Sequence, residues 1–139
     1  MNGFLESLMA AKKRGRISVI TDFKAISPKS GELFRNRDPI AFARELANVN
    51  APAISVVTER EHFGGSIELL QEIHKNIDLP ILRKDFIKSR EDLLQTSNSG
   101  AAAVLLICSS LTPEKLKILF FESLELGLEP LIEVHNKRE

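Results

Sequence analysis

Ala102-Ala103-Val104-Leu105-Leu106-Ile107-Cys108 is a continuous apolar run, followed by Ser109-Ser110. So short a segment with no polar face suits a strand buried on both sides, which is the environment of a parallel sheet. Four further runs of this kind occur, Ile17–Phe23, Ala53–Val57, Pro80–Leu82 and Pro130–Val134. They are spaced roughly 25 to 35 residues apart, about one βα unit each.

Segments with helical periodicity separate the runs, and their starts carry helix signals. Asp38-Pro39 places an N-cap and a proline ahead of a helix over Ile40–Val49. Ser66 precedes Ile67–Asn76, Ser89 precedes Glu91–Ser97, and Thr112 precedes Pro113–Leu126, which Gly127 closes. A short helix, Phe4–Lys13, comes before the first strand. The chain of 139 residues therefore reads as one α/β domain over residues 1–139, with five βα units beginning near residue 16. Strand–helix alternation suits an open doubly wound sheet or a closed barrel. The glycine-rich turn of a dinucleotide fold is absent after the first strand, where Ala25-Ile26-Ser27-Pro28-Lys29-Ser30-Gly31 stands instead. Periodicity alone leaves the two architectures open.

Composition narrows the classes of function. Lys+Arg and Asp+Glu both number 19, which gives no basic excess for nucleic acid or for a membrane surface. No apolar run approaches the ~20 residues of a membrane span, and the N-terminus has no secretory apolar core. The single cysteine, Cys108, has no partner for an internal disulfide. Lying in an apolar run, it reads as core filler, and the chain as a soluble cytoplasmic protein.

Charge then appears where a buried sheet does not need it. The first strand ends Thr21-Asp22-Phe23-Lys24, the third Arg83-Lys84-Asp85, and the fifth Ile132-Glu133-Val134-His135. In parallel α/β folds, ligands bind beyond the C-terminal strand ends. In a barrel, inward residues of alternate strands share a layer. Asp22 and Lys24, Lys84 and Glu133 are thus expected to converge in one mouth, as acid–base groups. His62 reads as a loop residue beside that mouth and His74 as a surface residue. Glu133 and His135 lack a third ligand at metal-binding spacing, so a zinc site is not expected.

Five blocks in order resemble the indole-3-glycerol phosphate synthase family. They are Ile20 to Pro28, Ile54 to Glu59 with His62 to Ser66, Pro80 to Ile87, Ala103 to Ile107, and Leu126 to His135. The resemblance implies a parallel (β/α)8 barrel of TIM type, here cut off after about five βα units. It implies a lyase of tryptophan biosynthesis that closes and decarboxylates 1-(2-carboxyphenylamino)-1-deoxyribulose 5-phosphate without metal or organic cofactor. By motif, Lys84 would be the general acid at the substrate carbonyl, and Glu133 the opposing carboxylate. Lys24 would meet the substrate carboxylate, and Asp22 takes the place of a proton-transferring glutamate. Ser27 and Pro28 belong to the same signature and are expected to contact substrate. Phe63, Phe86 and Leu105 would line the pocket for the aromatic ring. Asp22 is one methylene shorter than the family's glutamate, and Ala25 replaces a basic or polar residue. The family's phosphate-holding loops follow later strands. The expected partners are therefore a phosphorylated small molecule and a complementary C-terminal half-barrel, or self-association through open strand edges. The alternative expectation is a non-catalytic remnant or assembly module.

Overall fold

A computed structural model describes residues 3–139. The chain runs α1 (Phe4–Lys13), β1 (Ile20–Phe23), a small antiparallel hairpin of β2 (Ile26–Ser27) and β3 (Gly31–Glu32), then α2 (Pro39–Asn48). It continues β4 (Ala53–Val57), α3 (Ile67–Asn76), β5 (Ile81–Lys84), α4 (Arg90–Asn98), β6 (Ala103–Ile107), α5 (Pro113–Glu125) and β7 (Glu129–Glu133). The five long strands form one parallel sheet in the order β1-β4-β5-β6-β7. Each strand lies beside its predecessor, so the order never reverses as it does in a doubly wound sheet. This is the wall of a (β/α) barrel.

The helix starts form as their residues dictate. Asp38 accepts a hydrogen bond from the Ile40 amide at 2.9 Å, and Pro39 opens α2 without an N–H to satisfy. Ser66 caps α3 through the Leu69 amide at 3.1 Å. Ser89 and Asp92 form a reciprocal capping box on α4. Thr112 accepts from the Lys115 amide at 3.2 Å. Gly127 ends the segment with φ of +73°, a conformation that costs glycine little.

The outer face of the sheet supports two cores. Phe23, Ile54, Val56 and Ile81 pack against Leu70 and Ile73 of α3 and Ala43 of α2. Val104 and Leu106 pack against Leu93 of α4 and Leu119 of α5. Each large side chain buried in this way contributes about 1.5–3 kcal/mol. The inner face has its own cluster, in which Phe4 of α1 covers Ala53, Leu82, Ala103 and Leu105. The first helix thus closes the inner face beneath the strands.

Three details differ from the sequence expectations. β1 starts at Ile20 rather than Ile17, because Ala53 is the first β4 residue available to pair with it; Ile17 and Val19 are exposed. β5 extends to Lys84, which pairs with Val57. Cys108 leaves the strand for a 3-10 turn, Cys108–Ser110, and is half-buried rather than core filler. Among the described residues, no helix is long and apolar enough to cross a membrane.

Candidate active site

Side chains alternate along a strand, so the residues preceding and following an inward position face outward. The inner cluster of Ala53, Leu82, Ala103 and Leu105 sets the phase. Further along the strands in the same phase, Val57, Lys84, Ile107 and Glu133 line a cavity at the C-terminal ends of the strands. Its volume is about 390 Å³. Lys24, Phe63, Phe86 and Leu105 complete much of its wall, together with Glu59, Asp85, Ser109 and His135.

Lys24, Lys84 and Glu133 reach this cavity, Asp22 is not among its lining residues, and of the four charges only Asp22 and Lys84 are in contact. Lys84 Nζ lies 3.3 Å from Asp22 Oδ2, bridging β5 and β1 across the intervening β4. The second Asp22 oxygen accepts the Ser55 hydroxyl at 2.5 Å. Glu133 does not contact either lysine; it pairs with His135 Nε2 at 3.1 Å. Lys24 sits over the Phe63 ring, 4.7 Å from its centroid, an attraction between the ammonium and the negative ring face. Ser27 and Pro28 lie in the β2–β3 hairpin and are not among the cavity's lining residues.

The β4–α3 loop that holds Phe63 is tied by one residue the sequence did not single out. Glu59 accepts backbone N–H bonds from Glu61, His62 and Phe63 at 3.2, 2.8 and 3.1 Å. His62 Nδ1 lies 3.0 Å from the same carboxylate. Desolvation works to raise the Glu59 pKa, but the bonds from the His62 ring and from the His62 and Phe63 amides outweigh it and hold the carboxyl below its ordinary 4.5. The bond to Glu59 and its charge lift exposed His62 above its ordinary 6.5. The return into α3 needs Gly65, since a Cβ there would collide with the Val57 carbonyl and the Thr58–Glu59 backbone. Glu59, Glu61 and His62 offer ligand atoms within 4.8 Å of one another, but the Glu59 oxygens are already taken by these hydrogen bonds.

Arg83 corrects the reading of the third strand's end as a row of site charges. It points away from Lys84 to the helix side and is buried. Its Nε donates to Thr58 Oγ1 at 2.9 Å, Nη1 to Thr96 Oγ1 at 3.0 Å and to the Asp92 carbonyl at 3.1 Å. Nη2 pairs with Asp85 at 3.1 Å. Asp85 also accepts the Thr58 hydroxyl and the Phe86 amide, at 2.6 and 2.8 Å. This network fastens the end of β5 to β4 and α4. The alternation of strand faces carried the signal, since neighbours of an inward Lys84 must face outward. His74 also differs: it is half-buried, and its ring occupies the space beside Gly100 that a Cβ would fill.

The indole-3-glycerol phosphate synthase family model matches residues 1–139, the whole chain. The chain belongs to that family. Among curated indole-3-glycerol phosphate synthases, that of Listeria monocytogenes is 44% identical over 123 residues, covering 88% of this chain and 49% of the relative. That of Thermococcus kodakarensis is 38% identical over 130 residues, covering 94% of this chain and 57% of the relative. The chain spans about half the length of the synthases it matches. Solved structures share the fold alone. A mandelate racemase/muconate lactonizing protein from Herpetosiphon aurantiacus superimposes with a TM-score of 0.57 at 11% identity, over 94% of this chain and 44% of its own. A mandelate oxidase variant gives 0.58 at 14% identity, over 94% and 52%.

Proposed function

We propose that this chain supplies the proton-transfer side of an indole-3-glycerol phosphate synthase site, acting on 1-(2-carboxyphenylamino)-1-deoxyribulose 5-phosphate. The observation that carries the reading is the convergence of Lys24, Lys84 and Glu133 on one cavity walled by Phe63, Phe86 and Leu105. The aromatic and aliphatic wall suits a planar ring, and Lys24 stands ready for the ring's carboxylate. The Lys84 ammonium donates a proton to the substrate carbonyl oxygen as the aromatic carbon attacks, leaving a hydroxyl on the newly closed ring that departs as water only in the later dehydration. The Glu133 carboxylate faces the positive charge that develops on the ring nitrogen, and groups placed before reaction need no reorganisation when charge appears. No step in this scheme calls on a metal or an organic cofactor.

Turnover is proposed to need further (β/α) units, paired to the free edges of β1 and β7. The β7 edge exposes Leu131 and Ile132, and exposed Val19 directly precedes β1; added strands would cover them. The substrate's phosphate would be held by loops of those added units, as in other barrels of this type. The proposed setting is a soluble cytoplasmic enzyme of tryptophan biosynthesis.

The test is indole-3-glycerol phosphate formation by the chain alone and by the chain mixed with the remaining segment of the Listeria monocytogenes relative. Product in the mixture and little or none with the chain alone is expected. Absence of product in both, with the mixture shown to assemble, overturns the enzyme reading and favours a non-catalytic assembly module.

A further inference from the structure

Ser55 is the one hydroxyl in the strand Ala53-Ile54-Ser55-Val56-Val57, and it is 4% exposed. A buried hydroxyl without a partner is costly, so its position usually reports on what it bonds. Its partner is Asp22 Oδ1. An ionised carboxylate only accepts, so the serine donates. The pairing follows from register: Asp22 stands opposite Ser55 on the adjacent strand, on the same face. Lys84 pairs with Val57, two residues further along β4, and its side chain reaches back across that strand to Asp22 Oδ2.

The two oxygens of Asp22 therefore have separate tasks, one bound to Ser55 and the other to Lys84. The terminal torsion of an aspartate is broad, and one hydrogen bond alone leaves the carboxylate free to turn. Two contacts from different strands fix it. Lys84 needs such an anchor, since its side chain is 41% exposed and long. Asp22 itself is absent from the cavity lining, whereas Lys84 is part of it. A carboxylate one methylene shorter than glutamate stops at Ser55 and Lys84 and does not enter the cavity.

We infer that Asp22 and Ser55 together form a seat for the Lys84 ammonium, and that Asp22 acts in this chain as a positioning residue, working through Lys84. The inference deepens the synthase reading and rests on it for the role of Lys84. The geometric claim, however, is testable without substrate. Ser55 keeps one Asp22 oxygen occupied, so the other points steadily at Lys84. The ammonium then presents its remaining protons to the cavity in a narrow range of orientations.

The experiment is 15N relaxation of the lysine ammonium groups in the 139-residue chain, with exposed Lys88 as the internal reference for a free side chain. The Lys84 Nζ order parameter is expected to stand clearly above that of Lys88 in the unsubstituted protein. Ser55→Ala should lower it toward the Lys88 value, Asp22→Asn should lower it at least as far, and Ser55→Thr, which keeps the hydroxyl, should preserve it. Thermal unfolding of each variant separates this effect from global loss of structure, and Asp22→Asn, at a partly exposed site, serves if Ser55→Ala fails to fold. A Lys84 ammonium as mobile as Lys88 from the start, or one unmoved by Ser55→Ala or Asp22→Asn, overturns the inference. Absent turnover in the mixture with the complementary segment, with an ordered ammonium, counts against the synthase reading alone.

Discussion

The carboxylate of Glu129, at the start of the last strand, accepts the backbone N–H of Phe4, at the start of the first helix, at 2.7 Å. Its other oxygen takes the Leu5 N–H at 2.8 Å. These are among the amides at a helix start that have no partner within the helix, and a negative charge there also favours the helix dipole. The bond joins the two ends of the chain, 125 residues apart. It also holds Phe4, 3% exposed, over the inner face of the sheet.

Glu129→Ala should therefore cost about 1–3 kcal/mol, the range for charge-assisted hydrogen bonds and helix caps. Denaturant unfolding measures the loss. Amide exchange should accelerate first in α1 and β7, with β4 and β5 still protected. Uniform acceleration across the sheet would show that the bond has no local effect.

The Glu59–His62 pair gives the β4–α3 loop a pH dependence. His62 has a raised folded pKa, so its contribution is complete below 6.5 and fades as pH rises through the folded value above it. Glu59 has a lowered folded pKa, so its contribution is complete above 4.5 and fades as pH falls through the folded value below it. The loop should be most firmly held between those two ordinary values. Amide exchange at Glu61, His62 and Phe63, followed from pH 4 to pH 8 and corrected for intrinsic rates, should show greatest protection inside that window. His62→Ala should remove the upper limb and leave the lower one.

Arg83→Ala removes the guanidinium that joins Thr58, Asp85, Thr96 and the Asp92 carbonyl. Breaking a buried ion pair from one side costs about 3–5 kcal/mol, because the other partner is left without compensation. Urea unfolding should show a loss in this range. Arg83→Lys should recover only part of it, since an ammonium cannot reproduce the planar fork. A change below about 1 kcal/mol would mean that water replaces the network freely.

On the proposed reading, Lys84→Met in the chain assembled with its complementary segment should lower kcat by about a hundred- to ten-thousand-fold, the usual scale of a lost general acid. Glu133→Gln keeps the shape and removes the charge, so it should lower kcat with a smaller change in KM. Steady-state kinetics on both variants reads the split. Equal effects on KM and none on kcat would assign both residues to binding alone.

Much of the wall was legible beforehand, because local rules govern it. Caps at Asp38, Ser66, Ser89 and Thr112 act within a few residues of their own helices, and continuous apolar runs such as Ala103–Ile107 declare burial on both faces. The ends of β1 and β5 were less legible, since a strand extends only as far as its neighbour offers partners. Cys108 was misplaced for that reason: its apolar context continues one residue beyond the ladder. Arg83 was grouped with Lys84 by adjacency, although alternation sends the two to opposite sides of the sheet.

By itself the sequence determined the five-strand alternation, the family likeness, and the set of charges at the strand ends. Only the tertiary structure decided which of those charges touch. Asp22 and Lys84 are 62 residues apart and meet through the register of two strands against β4, while Glu133 turns to His135 instead. Side-chain period is a property of each strand alone, but distance between strands depends on register and order, which packing of the whole wall sets at once.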